Sequence, residues 1–179
     1  MAEPTPQVAW FFGYGSLMWN PGFASLRHER ARLEGWHRAL CIRSEHWRGT
    51  AARPGLVLGL APGGHCVGRA YAVERACEAE VLAYLDEREQ VGVYIYDRFS
   101  LPLQLADGTA VQAWCYTAKP DHPQVERELS PVQILDRLRH AQGHGGSNAD
   151  YVRNTVTHLH ELGITEPALE ALLPSLDGA

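Results

Sequence analysis

Strand-forming stretches crowd the first two thirds of the 179-residue chain, and sustained helical periodicity dominates only the last third, a distribution that points to α+β packing around a curved sheet. Val8–Phe12 is a short, wholly apolar run and reads as a buried first strand. Arg30–Ile42 alternates, with Leu33, Trp36 and Leu40 among its apolar positions, and reads as a long second one. Leu56–Leu60 and Cys66–Val73 flank Ala61-Pro62-Gly63-Gly64-His65, whose paired glycines suit a tight hairpin turn. Tyr94–Leu105 and Ala110–Tyr116 flank Asp107-Gly108 and predict another hairpin, with Pro102 confining part of the first strand to an edge or bulge. The expected strand count is about six.

Helical signals fill the gaps. Glu74–Glu89 carries Val81, Leu82 and Leu85 at spacings of three and four, with acidic residues near its start. Ser130-Pro131-Val132-Gln133 predicts a helix start, because Ser caps, Pro fits the first turn and Gln completes a capping box; that helix should end near Gln142. Gly143-His144-Gly145-Gly146 is a break, and Asn148 opens a helix whose stripe is Val152, Val156, Leu159 and Leu162, before Gly163. A short helix over Glu166–Leu173 ends the chain. No repeat, low-complexity tract or linker is visible, so the expectation is a single domain over residues 1–179 with its core at about 8–173, built as a small barrel or half-barrel with packed helices.

Composition excludes several function classes. Hydrophobic residues make up 45 % and charged residues 21 %, which is enough apolar surface for a folded core. The net charge of −5, with no Lys/Arg run, argues against nucleic acid and anionic membranes as partners. No apolar stretch approaches the roughly 18 residues of a membrane span, and Met1-Ala2-Glu3-Pro4 lacks a basic start, so the expected location is the cytoplasm. Cys41, Cys66, Cys77 and Cys115 form no C-x-x-C and read as buried free thiols.

The segment after the first strand, Gly13-Tyr14-Gly15-Ser16-Leu17, resembles an anion cradle, since glycine lets backbone N–H groups converge on a carboxylate or phosphate; the plain alternative is a tight turn. A dinucleotide fingerprint fails at its third glycine, where Met18 stands, and no phosphate loop of the G-x-x-x-x-G-K-[ST] type exists. Ser16 lacks the G-x-S-x-G elbow of a hydrolytic nucleophile. Glu89, at the end of its helical stretch, is a candidate proton-transfer base, although on its own it reads as a solvated helix-end acid. Arg43, Arg48 and Arg53 bracket Gly49-Thr50 and Pro54-Gly55, and read either as a fork for a carboxylate or as surface charges. Trp10, Trp36, Trp114 and Tyr116 are assigned to the core. His140 and His144 lie four apart and His158 and His160 two apart, but Gly143 interrupts the first pair and no H-E-x-x-H occurs, so neither metal nor cofactor is expected.

From Trp10 to Leu173 the chain resembles the ChaC-like γ-glutamylcyclotransferases, the glutathione-specific branch. The stations are Phe12-Gly13-Tyr14-Gly15-Ser16-Leu17-Met18-Trp19, Gly35-Trp36, Arg48-Gly49-Thr50, Pro54-Gly55, Leu85 to Glu89, Gly92-x-Tyr94, Gly146-Ser147-Asn148 with Tyr151, and Asn154-Thr155. The resemblance implies an enzyme that cleaves glutathione to 5-oxoproline and cysteinylglycine, with Glu89 as acid/base residue and Tyr14, Gly15, Ser16 and Leu17 binding the γ-glutamyl end. It also brings Tyr94 and Tyr151 into the substrate site, with Arg43, Arg48 or Arg53 for the terminal carboxylate. The spacing from Arg88-Glu89 to Gly92-Val93-Tyr94 and the apolar Val91-Gly92-Val93 bear on substrate preference more than on catalysis. Two other functions fit: action on other γ-glutamyl amino acids or amines, and a non-catalytic γ-glutamyl or glutathione sensor or regulator of cation transport.

Overall fold

A computed structural model describes residues 7–89 and 94–177. The readings placed on Met1–Pro4 and on Val91, Gly92 and Val93 lie outside the described residues. Five strands close into a barrel: β1 (Val8–Gly13), β2 (Arg27–Ser44), β3 (Gly55–Glu74), β4 (Tyr96–Leu105) and β5 (Ala110–Ala118), in the spatial order β1-β3-β2-β4-β5. The chain divides into two compact units, one of Met1–Arg38 with Leu60–Lys119 and one of Ala39–Gly59 with Pro120–Ala179.

In the first unit β1 lies between β3, antiparallel with Phe11 opposite Tyr71, and β5, parallel with Trp10 opposite Ala113. A strand paired on both sides and covered on both faces reads as continuous apolar sequence rather than alternation, which is why Val8–Phe12 has no polar face. Ala9 and Phe11 pack with Tyr71, Val73 and Tyr116 against Val81 and Leu85 of α1 (Glu78–Glu89), while Trp10 and Phe12 take the opposite face. The hairpin at Asp107-Gly108 forms as expected, with Gly108 at φ +87°. Pro102 stands where the pairing of β4 with β2, over Leu103–Leu105, stops, while pairing with β5 runs from Tyr96 to Gln104.

The hairpin expected at residues 61–65 is absent. β3 runs unbroken from Gly55 to Glu74 and accommodates Gly63 and Gly64 at φ +100° and +64° within the strand. Left-handed glycines suit a turn and a strand irregularity equally, and pairing with the neighbouring strand decides between them. Here the Gly63 carbonyl meets His37 Nδ1 of β2 at 3.1 Å.

In the second unit α2 (Pro131–His140) starts with the expected capping box: Ser130 Oγ accepts from Gln133 N–H, and Gln133 returns the bond to the Ser130 N–H. The break after α2 holds a small hairpin, β6 (Gln142–Gly143) with β7 (Gly146–Ser147), and α3 (Asn148–Glu161) starts at Asn148 as expected, with Ser147 as its cap. The last helix is split into α4 (Pro167–Glu170) and α5 (Leu173–Asp177). Leu138, Val152 and Leu176 pack on Leu56.

Asn148 is fully buried, and its amide both accepts from the Leu56 N–H and donates to the Leu56 carbonyl, each at 2.7 Å. Three residues on, Tyr151 Oη accepts from Leu58 N–H at 3.0 Å. The first turn of α3 thus matches side-chain groups to alternate backbone groups of β3, as another strand would. Nearby, a Cβ on Gly49, Gly55 or Gly143 would overlap neighbouring backbone, so the segments around them touch main chain to main chain.

Candidate active site

The loop after β1 is held from beneath by its carbonyls. Arg38, itself buried, donates from Nε to Tyr14 O at 2.6 Å, and Tyr71 Oη bonds Leu17 O at 2.6 Å and Met18 O at 2.9 Å. Arg69 adds a 3.0 Å bond to Met18 O. From α1, Arg88 Nη1 reaches Asn20 O at 2.7 Å and Pro21 O at 3.2 Å, and Nη2 reaches Ser16 Oγ at 3.0 Å. Charge-assisted bonds of this kind contribute about 1.5–3 kcal/mol each.

With its carbonyls taken up, the chain closes a single helical turn over Ser16–Met18, where Met18 N–H bonds Gly15 O. Among the described residues no hydrogen bond uses the backbone N–H of Gly15, Ser16 or Leu17. Donors on one side and three guanidinium groups beneath make the loop electropositive, which suits a carboxylate. Gly22, at φ +77°, completes the wrap: a Cβ there would overlap the Tyr84 hydroxyl of α1.

Glu89 departs from its expectation as a solvated helix-end acid. Val81, Leu85 and Glu89 recur every four residues on one face of α1, and the first two are buried in the core. Glu89 continues that stripe, so its side chain is only 20 % exposed, and burial raises its carboxyl above the usual range against the opposing pull of Arg88. Arg88 Nε lies 3.6 Å from Glu89 Oε1. One guanidinium therefore faces both the acid and the loop. Sequence reading missed Arg38, Arg69 and Arg88 as anchors. The available signal was three arginines in strands and a helix that otherwise supply the apolar core.

The other sequence candidates fall elsewhere. Tyr94 is 68 % exposed, with Lys119 Nζ 5.8 Å from its ring centre. In the second unit, Arg48 Nη1 donates to Gly145 O and lies 3.5 Å from Ser147 O, and its guanidinium sits 5.3 Å from the centre of the Tyr151 ring. Both residues take part in the packing of that unit. Arg43 pairs with Glu45 at 3.0 Å, and Arg53 is exposed. Trp10 and Tyr116 are buried, whereas Trp36 and Trp114 are half-buried.

Cys41, Cys66 and Cys115 are buried free thiols, and Cys77 is half-buried. His144 stacks on His46 at 4.4 Å between ring centres, away from the His140 pairing suggested by spacing; His140 bonds Asp136 instead. Among the described residues no group of three or more His, Cys, Asp and Glu is placed to hold a metal, and no helix is long and apolar enough to cross a membrane.

Residues 9–177 match the family model described as ChaC-like protein. The chain belongs to the ChaC-like family. This ChaC-like protein is 36 % identical over 175 residues to the glutathione-specific γ-glutamylcyclotransferase of Escherichia coli strain K12, covering 97 % of this chain and 75 % of that one. It is 31 % identical over 150 residues to the human glutathione-specific γ-glutamylcyclotransferase 1, covering 82 % and 68 %. Its fold matches the crystal structure of a yeast γ-glutamylcyclotransferase specific to glutathione with a TM-score of 0.84 at 21 % identity, over 96 % of each chain. The small α+β barrel expected from sequence is thus the fold of this family member.

Proposed function

We propose that this protein is a glutathione-specific γ-glutamylcyclotransferase that converts glutathione to 5-oxoproline and cysteinylglycine. The observation that carries the reading is Glu89: a carboxyl on the buried stripe of α1, raised in pKa, beside the guanidinium that also grips the Ser16 loop. The names carried by the E. coli and human relatives support the choice of substrate.

The reaction is an intramolecular acyl transfer. The substrate's own α-amine attacks its γ-carbonyl carbon, a five-membered lactam closes, and the amide bond to cysteine breaks, with no water consumed. What it requires is a folded γ-glutamyl chain, and oriented intramolecular reactions gain effective molarities of about 10⁵ M or more. In this proposal the loop Tyr14, Gly15, Ser16 and Leu17 holds that chain, with backbone N–H groups of Gly15, Ser16 and Leu17 serving its carboxylate or the developing oxyanion.

The α-amine, with a reference pKa of about 8, is an ammonium at neutral pH and must lose a proton before it attacks. Glu89 takes that proton as a carboxylate and returns it to the departing cysteinyl nitrogen. A raised pKa suits both halves, because an ordinary glutamate would be a poor acid at neutral pH.

Incubating the purified protein with glutathione should release 5-oxoproline and cysteinylglycine in equal amounts. γ-Glutamyl-alanine, offered in parallel, should turn over less efficiently. No 5-oxoproline from glutathione would defeat the proposal, and equal kcat/KM on both would defeat its substrate assignment.

A further inference from the structure

We propose that Arg88 is a positioning residue: its single guanidinium ties the loop spanning Ser16–Pro21 to the end of α1 that carries Glu89, fixing the substrate cradle and the proton-transfer group relative to each other. The inference rests on the cyclotransferase reading for its consequences in catalysis, though not for the tether itself.

The geometry is specific. Arg88 and Tyr84 lie one turn apart on the same face of α1, and Arg88 Nη1 contacts the Tyr84 hydroxyl at 3.1 Å, which holds the guanidinium plane from the helix side. On the loop side the same group meets Asn20 O, Pro21 O and Ser16 Oγ, at 2.7, 3.2 and 3.0 Å. Its remaining nitrogen, Nε, faces Glu89 Oε1 at 3.6 Å. Five partners drawn from two chain segments surround the fork. Only a planar group with five N–H donors spans them together, and an ammonium is a point donor without that reach.

Phe23 packs on Phe11, Tyr71 and Tyr84 at the far end of the loop, so the segment is clamped at 23 by aromatic contact and between 16 and 21 by Arg88. The charged and titratable groups gathered here are Arg88 and Tyr84 of α1, Arg69 and Tyr71 of β3, and Arg38 of β2. The last three hold the loop's inner carbonyls, and the charge acting on Glu89 among the described residues is that of Arg88.

Arg88→Met and Arg88→Lys, compared with wild type, separate the tether from a merely structural role. In Arg88→Met the amides of Met18, Trp19 and Asn20, protected in the native turn, should exchange with deuterium about tenfold or more faster, as expected when a local turn loses its anchors. The kcat/KM for glutathione should fall about ten- to a hundredfold through misplacement of cradle and acid. Glu89 must be ionised to accept the ammonium proton, and Arg88 opposes the rise of its pKa, so removing the charge should move the acid limb of the pH profile to higher pH. Arg88→Lys should keep that limb near wild type while recovering only part of the exchange protection and of kcat/KM.

Unchanged exchange at residues 18–20 in Arg88→Met overturns the tether whatever the activity. Should that variant fail to fold, wild-type exchange and kcat/KM in Arg88→Lys overturn it equally. A wild type that makes no 5-oxoproline, but whose loop loosens in the variants, sinks the cyclotransferase reading and leaves the tether standing.

Discussion

Two regions of the molecule, the loop after β1 and the joint between the start of α3 and the start of β3, satisfy irregular backbone with different chemistry. The loop after β1 has its carbonyls met by Arg38, Arg69 and Arg88 and by the Tyr71 hydroxyl. In the second unit Asn148 bonds both backbone groups of Leu56, Tyr151 serves Leu58, and Ser130 and Gln133 cap α2. Neutral groups suffice where a strand edge or helix end needs only closing, since each buried N–H or C=O needs one partner. Charged donors under a loop also leave a positive field above it, and a nearby carboxylate buried at net cost is not needed for folding. Under the proposed function the first arrangement serves a ligand and the second serves architecture.

The sharpest way to break that contrast is Glu89→Gln. The amide keeps the shape but carries no proton to the leaving group, so 5-oxoproline release should fall about 10²- to 10⁴-fold with the fold intact. Stability should move the other way. A carboxyl whose folded pKa lies above its unfolded value contributes most below the unfolded pKa and loses that contribution as pH rises through the folded one. Above the folded pKa, Glu89→Gln should therefore raise Tm, and the gain should vanish on acidification. Near-normal turnover, or a loss of Tm at neutral pH, would place Glu89 with the architecture.

Asn148→Ala is the converse test. It strands the N–H and C=O of Leu56 in a dry site, and two unpaired buried groups cost about 2–6 kcal/mol together. A large fall in urea midpoint is expected, and a change below about 1 kcal/mol would show that water or a shift of the strand replaces the amide. Gly143→Ala should follow with a smaller loss of about 1–3 kcal/mol, because the new methyl meets the backbone of His46 and Trp47 and cannot be relieved by a side-chain rotation.

Local signals carried the elements whose chemistry is local. The capping box at Ser130 and the hairpin at Asp107-Gly108 needed only neighbouring residues, and both formed. The Gly63-Gly64 hairpin failed because left-handed glycines leave the direction of the chain open until a neighbouring strand pairs. In β2, Ala31 and Leu33 are buried before Gly35, at φ +81°, and Arg38 after it, so the alternation changes phase and hides Arg38's inward position. The turn after β1 was legible from its glycines, and its use as an anion cradle belongs to the proposed function. The burial of Glu89 was also written in the sequence, at every fourth residue from Val81, but the unfavourable helix-end position drew attention away from it. The role of Arg88 depends on contacts with residues about 70 positions away, which no window along the chain contains.

The smallest expected effect concerns the cysteines, where neither unit should show chemistry. Burial pushes the Cys41 thiol up to about 11 and that of Cys115 to about 12, so at neutral pH both are protonated as well as enclosed, and the thiolate is the reactive form. Cys66 is equally buried, while Cys77, in the short turn before α1, is half-exposed. A disulfide reagent at pH 7.5 should therefore label Cys77 first. The other three should react only at the rate of unfolding, and labelling of Cys77 should leave turnover essentially unchanged, because no cysteine enters the proposed reaction. Rapid labelling of Cys41 in the native protein would show that the second unit opens locally and is less rigid than its neutral clamps imply. Loss of 5-oxoproline release on modification of Cys77 would instead tie the start of α1 to the placement of Glu89 at its end.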